Sequence, residues 1–102
     1  MIHSIDFDNT IHDAKHPLPG KRMGAPMEGA KSTLELLRAR GDKIIVHTVK
    51  AVTESGRCAV IDWLKYYEIP YDDVTSIKPN ADIFLDDKAY KFISWKDYER
   101  AN

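Results

Sequence analysis

The chain has 102 residues, a formal net charge of −1 and a single cysteine, Cys58. A length of this order suits one domain, which we place over residues 1–102. The small net charge disfavours a large basic surface for nucleic acid, and no apolar stretch reaches the roughly 20 residues that span a bilayer. The N-terminus lacks the features of a secretory signal, and a lone cysteine suits a reducing compartment. We therefore expect a cytoplasmic protein with no membrane partner.

The first part of the chain predicts a strand, a flap and a helix. Residues 2–7 alternate in polarity and are flanked by polar residues, which is typical of a short buried strand. Residues 12–26 are rich in proline and glycine, which break regular elements, so we predict a long loop or a small flap hairpin that borders the substrate. Two histidines, His12 and His16, lie on this flap. An amphipathic helix is predicted from Met27 to Gly41.

The second part repeats the alternation of strand and helix. Lys43–His47 is an almost continuous apolar run, as in a parallel strand that is covered on both faces. Thr53 is predicted to cap a second helix that ends before Pro70. Short strands are predicted at 74–77 and 81–85, and the tail as an edge strand over 90–93 followed by a short helix. This order predicts an α/β domain with a mainly parallel sheet, whose ligands bind beyond the carboxyl ends of the strands.

Polar side chains follow the predicted strands at the points where those strands end. Asp6 and Asp8 lie at the end of the first strand, Thr48 follows the second, and Asp86 and Asp87 follow the fourth. Carboxylates that lie so close repel one another unless a cation binds between them. Mg²⁺ prefers such oxygen ligands and commonly binds one or two carboxylates together with a substrate phosphate. We therefore predict that the four acids converge on a Mg²⁺ site at one rim of the sheet.

The same rim carries groups that suit phosphoryl transfer. Thr48 and Lys78 supply a hydroxyl and an ammonium for the charged oxygens of a phosphoryl group. A carboxylate nucleophile can form an aspartyl-phosphate. A neighbouring acid can protonate the leaving oxygen and later deprotonate the attacking water.

The motifs carrying these residues resemble those of the haloacid dehalogenase-like (HAD) phosphatases, in the family's order. The matched segments are Ile5-Asp6-Phe7-Asp8-Asn9-Thr10, Ile44-Ile45-Val46-His47-Thr48, Lys78 and Ile83-Phe84-Leu85-Asp86-Asp87. The resemblance implies a three-layer, Rossmann-like (HAD-like) fold. Neither gap between the motifs is long enough for a cap domain, which makes the chain similar to the small capless branch of capsule-biosynthesis-type and phage-type hydrolases.

In this resemblance the first motif carries the reaction. Asp6 is implied as the nucleophile and a metal ligand, and Asp8 as the general acid/base that also binds the metal through its backbone carbonyl. Asn9 stands where glycine is commoner in the family. Asn9, Thr10 and Lys50 are our candidates for substrate binding.

The later motifs complete the implied site. Thr48 and Lys78 are implied as the clamp on the phosphoryl group. Asp86 is implied as the remaining protein ligand of the metal, with Asp87 in support.

The predicted function is Mg²⁺-dependent hydrolysis of a phosphomonoester through an aspartyl-phosphate. The substrate is expected to be a phosphorylated small molecule or the phosphorylated end of a larger one. Two alternatives stay open: a phosphotransferase of the same fold, and a non-catalytic phosphate-binding or receiver-like module. In a receiver the phosphate-accepting acid ends a strand in the middle of the chain, where this sequence has Thr48, so the order of the motifs favours the hydrolase. Sugar phosphates, nucleotides and polynucleotide ends all remain possible substrates.

Overall fold

The computed structural model describes every residue from Met1 to Asn102. Its elements are, in chain order, β1 (Ile2–Asp6), β2 (His12–Pro17), β3 (Gly24–Pro26), α1 (Ala30–Ala39), β4 (Lys43–His47), α2 (Glu54–Tyr66), β5 (Asp73–Thr75), β6 (Ile83–Leu85) and α3 (Trp95–Ala101). A short 3₁₀ turn, Val49–Val52, joins β4 to α2. None of the helices has the length and apolar character needed to cross a membrane.

The central sheet is parallel throughout, with the strand order β5-β4-β1-β6. In the register of β1 and β4, Asp6 lies beside His47. In the register of β1 and β6, Ile5 lies beside Leu85. Because the three strands run in the same direction, the residues that follow them meet at one edge of the sheet.

A core of eleven buried apolar side chains lies between the sheet and its flanking helices. Ile44 and Val46 of β4 are fully buried, which accounts for the apolar run that predicted this strand. Thr53 caps α2 as predicted, since its hydroxyl oxygen accepts a hydrogen bond from the Gly56 N–H at 3.1 Å. A parallel sheet flanked by helices, with no cap domain, confirms the predicted α/β, Rossmann-like fold.

The predicted flap is an antiparallel hairpin formed by β2 and β3. Gly24 links the two strands of this hairpin and fastens the hairpin to α2. Its N–H donates to Nε2 of His12 at 2.8 Å, and its carbonyl accepts from Nε1 of Trp63 at 3.0 Å. A Cβ at this position would overlap the backbone oxygen of Asp13, so glycine is required for the close approach of the two strands.

The C-terminal part of the chain differs from the prediction at residues 90–93, which form no strand. The outer edge of β6 is unpaired, and residues 90–93 do not add a strand to it. The aromatic residues of this segment instead contact those of α3. The ring of Tyr90 lies 5.3 Å from that of Tyr98, and the ring of Phe92 lies 5.4 Å from that of Trp95.

Candidate active site

Three acidic side chains meet at the carboxyl edge of the sheet. Asp6, Asp86 and Asp87 each offer a carboxylate oxygen, and these oxygens all lie within 4.8 Å of one another. Asp6 ends the central strand β1 and is partly buried, whereas Asp86 and Asp87 follow the edge strand and are exposed. The Lys88 N–H donates to Oδ1 of Asp86 at 2.8 Å, which holds that carboxylate in a tight turn.

The crowding changes the acidity of Asp6. Burial, the charge of Asp86 and a hydrogen bond with Asp87 together raise the pKa of Asp6 to about 6. Above that pH three negative charges stand together with no cation paired to any of them. A cluster of carboxylate oxygens that is electrostatically costly by itself is the donor set that Mg²⁺ prefers. The residues present therefore fit a Mg²⁺ ion.

The fourth acid, Asp8, has a different environment. Its Oδ1 lies 2.9 Å from Nδ1 of His12, and its Oδ2 lies 3.2 Å from the ammonium of Lys50. The side-chain oxygens of Asp8 therefore lie outside the cluster and contact the His12 ring and the Lys50 ammonium, so the predicted convergence of four carboxylates is seen for three of them. The implied contact of Asp8 with metal through its backbone carbonyl stays a prediction.

A tight turn after β1 gives the side chains of Asp6 and Asp8 these different surroundings. Asn9 has a φ of 59°, in the left-handed region that asparagine and glycine adopt most readily. This conformation explains an asparagine where glycine is commoner. The amide oxygen of Asn9 accepts from the Ala14 N–H at 3.3 Å, so the side chain braces the hairpin. The hydroxyl oxygen of Thr10 is buried and is the one buried side-chain polar atom without a partner.

Thr48 lies at the same edge of the sheet, directly after β4. It is buried, its N–H donates to the carbonyl of Thr75 at 2.9 Å, and its Oγ1 accepts from the Lys50 N–H at 3.3 Å. These contacts fix the backbone and one lone pair of the hydroxyl. The O–H hydrogen has no recorded acceptor and stays available to donate.

Lys78 lies outside the cluster. Its ammonium stands over the ring of Phe84, 4.9 Å from the ring centre, and it forms no ion pair with any acid. The side chain is exposed, as are most residues of the segment between β5 and β6. The structure thus brings Asp6, Thr48, Asp86 and Asp87 to one edge and leaves Lys78 against an aromatic face nearby.

The contact between His12 and Asp8 was missed by sequence reasoning, which placed His12 on a flap that borders the substrate. The histidine is instead buried, with an exposed fraction of 2%. His16, the other histidine of the hairpin, is exposed and pairs with Asp13 at 3.0 Å. The spacing of four residues between Asp8 and His12 was the available signal, but it is not informative without the turn that brings them together.

Comparisons with known proteins bear on the fold. No family model matches the chain, and no curated protein sequence matches it. A solved structure of a conserved protein from Bacteroides thetaiotaomicron resembles it with a TM-score of 0.70 and 24% identity, over 96% of this chain and 85% of that one. At this level of identity the likeness supports the three-layer α/β architecture.

Proposed function

We propose that this chain is a Mg²⁺-dependent phosphomonoester hydrolase that acts through an aspartyl-phosphate on Asp6. One observation carries the proposal: the two acids of the first motif, which are two residues apart, have opposite environments. Asp6 lies among other carboxylates, and Asp8 is paired with a buried imidazole and an ammonium. Pairs of acids whose surroundings differ in this way take different roles in catalysis. The order of the motifs, which resembles that of the HAD phosphatases, supports the same assignment.

The acidic cluster would hold the metal. Asp6, Asp86 and Asp87 would supply carboxylate oxygens, and the resemblance adds the backbone carbonyl of Asp8. Bound there, Mg²⁺ supplies positive charge that offsets the charge of the carboxylates and of the phosphate.

Asp6 and Asp8 then act in both steps of the reaction. The carboxylate of Asp6 attacks phosphorus, and the bond between phosphorus and the leaving oxygen breaks while Asp8 donates a proton to that oxygen. Asp8 next takes a proton from a water molecule, which attacks the phosphorus of the aspartyl-phosphate and releases phosphate from Asp6. The hydroxyl of Thr48 and the ammonium of Lys78 donate to the phosphoryl oxygens.

Lys50 has a further part in this scheme. Both oxygens of Asp8 have partners, so one must become free before the side chain can exchange a proton with the substrate. His12 is buried, whereas the side chain of Lys50 is 37% exposed and flexible. We infer that Lys50 moves from Asp8 to the phosphoryl group when the substrate binds. That movement frees Oδ2 of Asp8.

Phosphate release from a panel of sugar, nucleotide, polynucleotide-end and nitrophenyl phosphates tests this function. We expect release by the wild-type protein with Mg²⁺ and the background rate in excess chelator. Asp6→Asn should stay at background with every substrate, because the nucleophile is absent. The matched control is Glu35→Gln, which removes an exposed acid from α1 and should leave the rate unchanged. Full turnover in chelator, or an active Asp6→Asn variant, would contradict the proposal.

A further inference from the structure

Both ring nitrogens of His12 form hydrogen bonds within the protein. Nδ1 lies 2.9 Å from Oδ1 of Asp8, and Nε2 lies 2.8 Å from the backbone nitrogen of Gly24. The first contact joins the ring to the candidate active site, and the second joins β2, on which His12 lies, to β3.

The two contacts determine where the ring proton sits. A backbone N–H can only donate, so Nε2 must be the acceptor for Gly24 and carries no hydrogen. The ring of His12 is therefore neutral, and its one N–H is at Nδ1. This N–H points at the carboxylate of Asp8 and donates to it.

Aromatic contacts hold the ring in this orientation. Phe7 stacks on it, with centroids 4.9 Å apart and an interplanar angle of 15°. Trp63 meets it edge-on at 5.2 Å, and the same indole donates to the carbonyl of Gly24. The ring cannot turn without disturbing both the core and the hairpin.

We propose that His12 is a positioning residue for proton transfer by Asp8, and that the docked hairpin sets its tautomer through Gly24. This inference rests on the proposed function. The N–H at Nδ1 holds Oδ1 of Asp8 in place, so proton transfer uses Oδ2, the oxygen that Lys50 contacts in the structure. The hairpin thereby acts on the proton-transfer step without contacting the reacting atoms.

The tautomer can be tested without any assay of activity. Long-range ¹H–¹⁵N NMR spectra of the wild-type protein near neutral pH should show a protonated Nδ1 and an unprotonated Nε2 for His12, assigned by comparison with a His12→Gln sample. The opposite tautomer, or a ring protonated at both nitrogens, overturns the inference.

Two conservative substitutions separate the ring's two contacts. In His12→Gln the longer amide can still accept from Gly24 but has no group at the Nδ1 position. In His12→Asn the shorter amide can still donate to Asp8 but does not reach Gly24. Small misplacements of a reacting group lower the rate of a reaction by up to about 10²-fold. We therefore expect His12→Gln to hydrolyse an alkyl phosphate roughly 10- to 100-fold more slowly than the wild-type protein. The loss with nitrophenyl phosphate should be much smaller, since nitrophenolate leaves without a proton.

His12→Asn should keep most of the alkyl phosphate activity. The control is His3→Gln, which replaces the other buried histidine that contacts an aspartate, since its Nε2 lies 2.8 Å from Oδ2 of Asp42 near the start of β1. Thermal unfolding of each variant separates lost folding from lost positioning.

The possible failures are distinguishable. If the wild-type protein releases no phosphate, the proposed function fails and the role of His12 in proton transfer fails with it, whatever the NMR spectra show. If the wild-type protein is active but His12→Gln loses the same fraction of activity with both substrates, or loses no more activity than His3→Gln, the inference about His12 alone is overturned.

Discussion

The two halves of the candidate site are built differently. The N-terminal half is Asp6, Asp8, His12 and Thr48, on the two central strands and the turn after β1. His12 and Thr48 are buried, and Asp8 is held by hydrogen bonding to the buried ring. The C-terminal half is Lys78, Asp86 and Asp87, around the edge strand β6 (Ile83–Leu85), all of whose residues are exposed.

The difference teaches which part of the site is organised by the fold itself. The N-terminal half is positioned by the packed core, so its geometry does not need a ligand. The C-terminal half brings charge to the site on a strand that is paired with β1 alone, and Lys78 rests on Phe84. We therefore expect the chemistry to depend on the first half and the affinity for metal on the second.

The largest effect is expected in the N-terminal half of the site. Asp8→Asn removes the proposed general acid/base, and such a group typically accelerates a reaction by roughly 10²–10⁴-fold. We expect a loss of this size with an alkyl or sugar phosphate. With nitrophenyl phosphate the first step should survive as a burst of nitrophenolate, and the aspartyl-phosphate should accumulate because the second step lacks its base. Rapid-quench kinetics measure the burst, and equal losses for both substrates without a burst would assign proton transfer to another group.

A smaller effect is expected in the C-terminal half of the site. Asp86→Ala should weaken Mg²⁺ binding by about tenfold or more, since changes near a metal typically cost 10- to 100-fold, and Asp87→Ala should weaken it less. Glu99→Ala is the matched control because it removes one negative charge from α3 at an exposed position. Calorimetric titration with Mg²⁺ measures the affinity of these three variants for the ion. An unchanged affinity in Asp86→Ala would break the proposed division between the two halves.

The smallest effect concerns the stability of the metal-free protein. The pKa of Asp6 is about 6 in the folded chain and roughly 3.9 in an unfolded one. The charged form is therefore disfavoured by folding, and this cost grows as the pH rises from about 4 to about 6 and then stays constant. Asp6→Asn should raise the free energy of unfolding at pH 8 in chelator, by on the order of 1 kcal/mol once solvent screening is allowed for.

At pH 4 the same substitution should have little effect, and Mg²⁺ should stabilise the wild-type protein more than the variant. Urea titrations at the two pH values, with Glu35→Gln as the control, measure the difference. A loss of stability at pH 8 in chelator would mean that the acidic cluster is not under electrostatic strain.

Much of the architecture was predictable from the sequence by itself. The apolar run of β4 and the cap at Thr53 are local patterns, and each indicates its element without knowledge of the rest of the chain. Placing Asp6 and Asp86 at one edge needed one further rule, that the carboxyl ends of parallel strands lie together. The sequence therefore determined the fold class and the position of the acidic cluster.

Only the tertiary structure decided how the individual side chains are used. The pairing of Asp8 with His12 depends on Gly24 and Trp63, which are distant in sequence and settle the orientation of the ring. Residues 90–93 form no strand and instead place Tyr90 and Phe92 against aromatic rings of α3, which the pattern within this segment does not reveal. In both cases the deciding free energy comes from contacts between separate elements, so composition and spacing within one segment cannot reveal it.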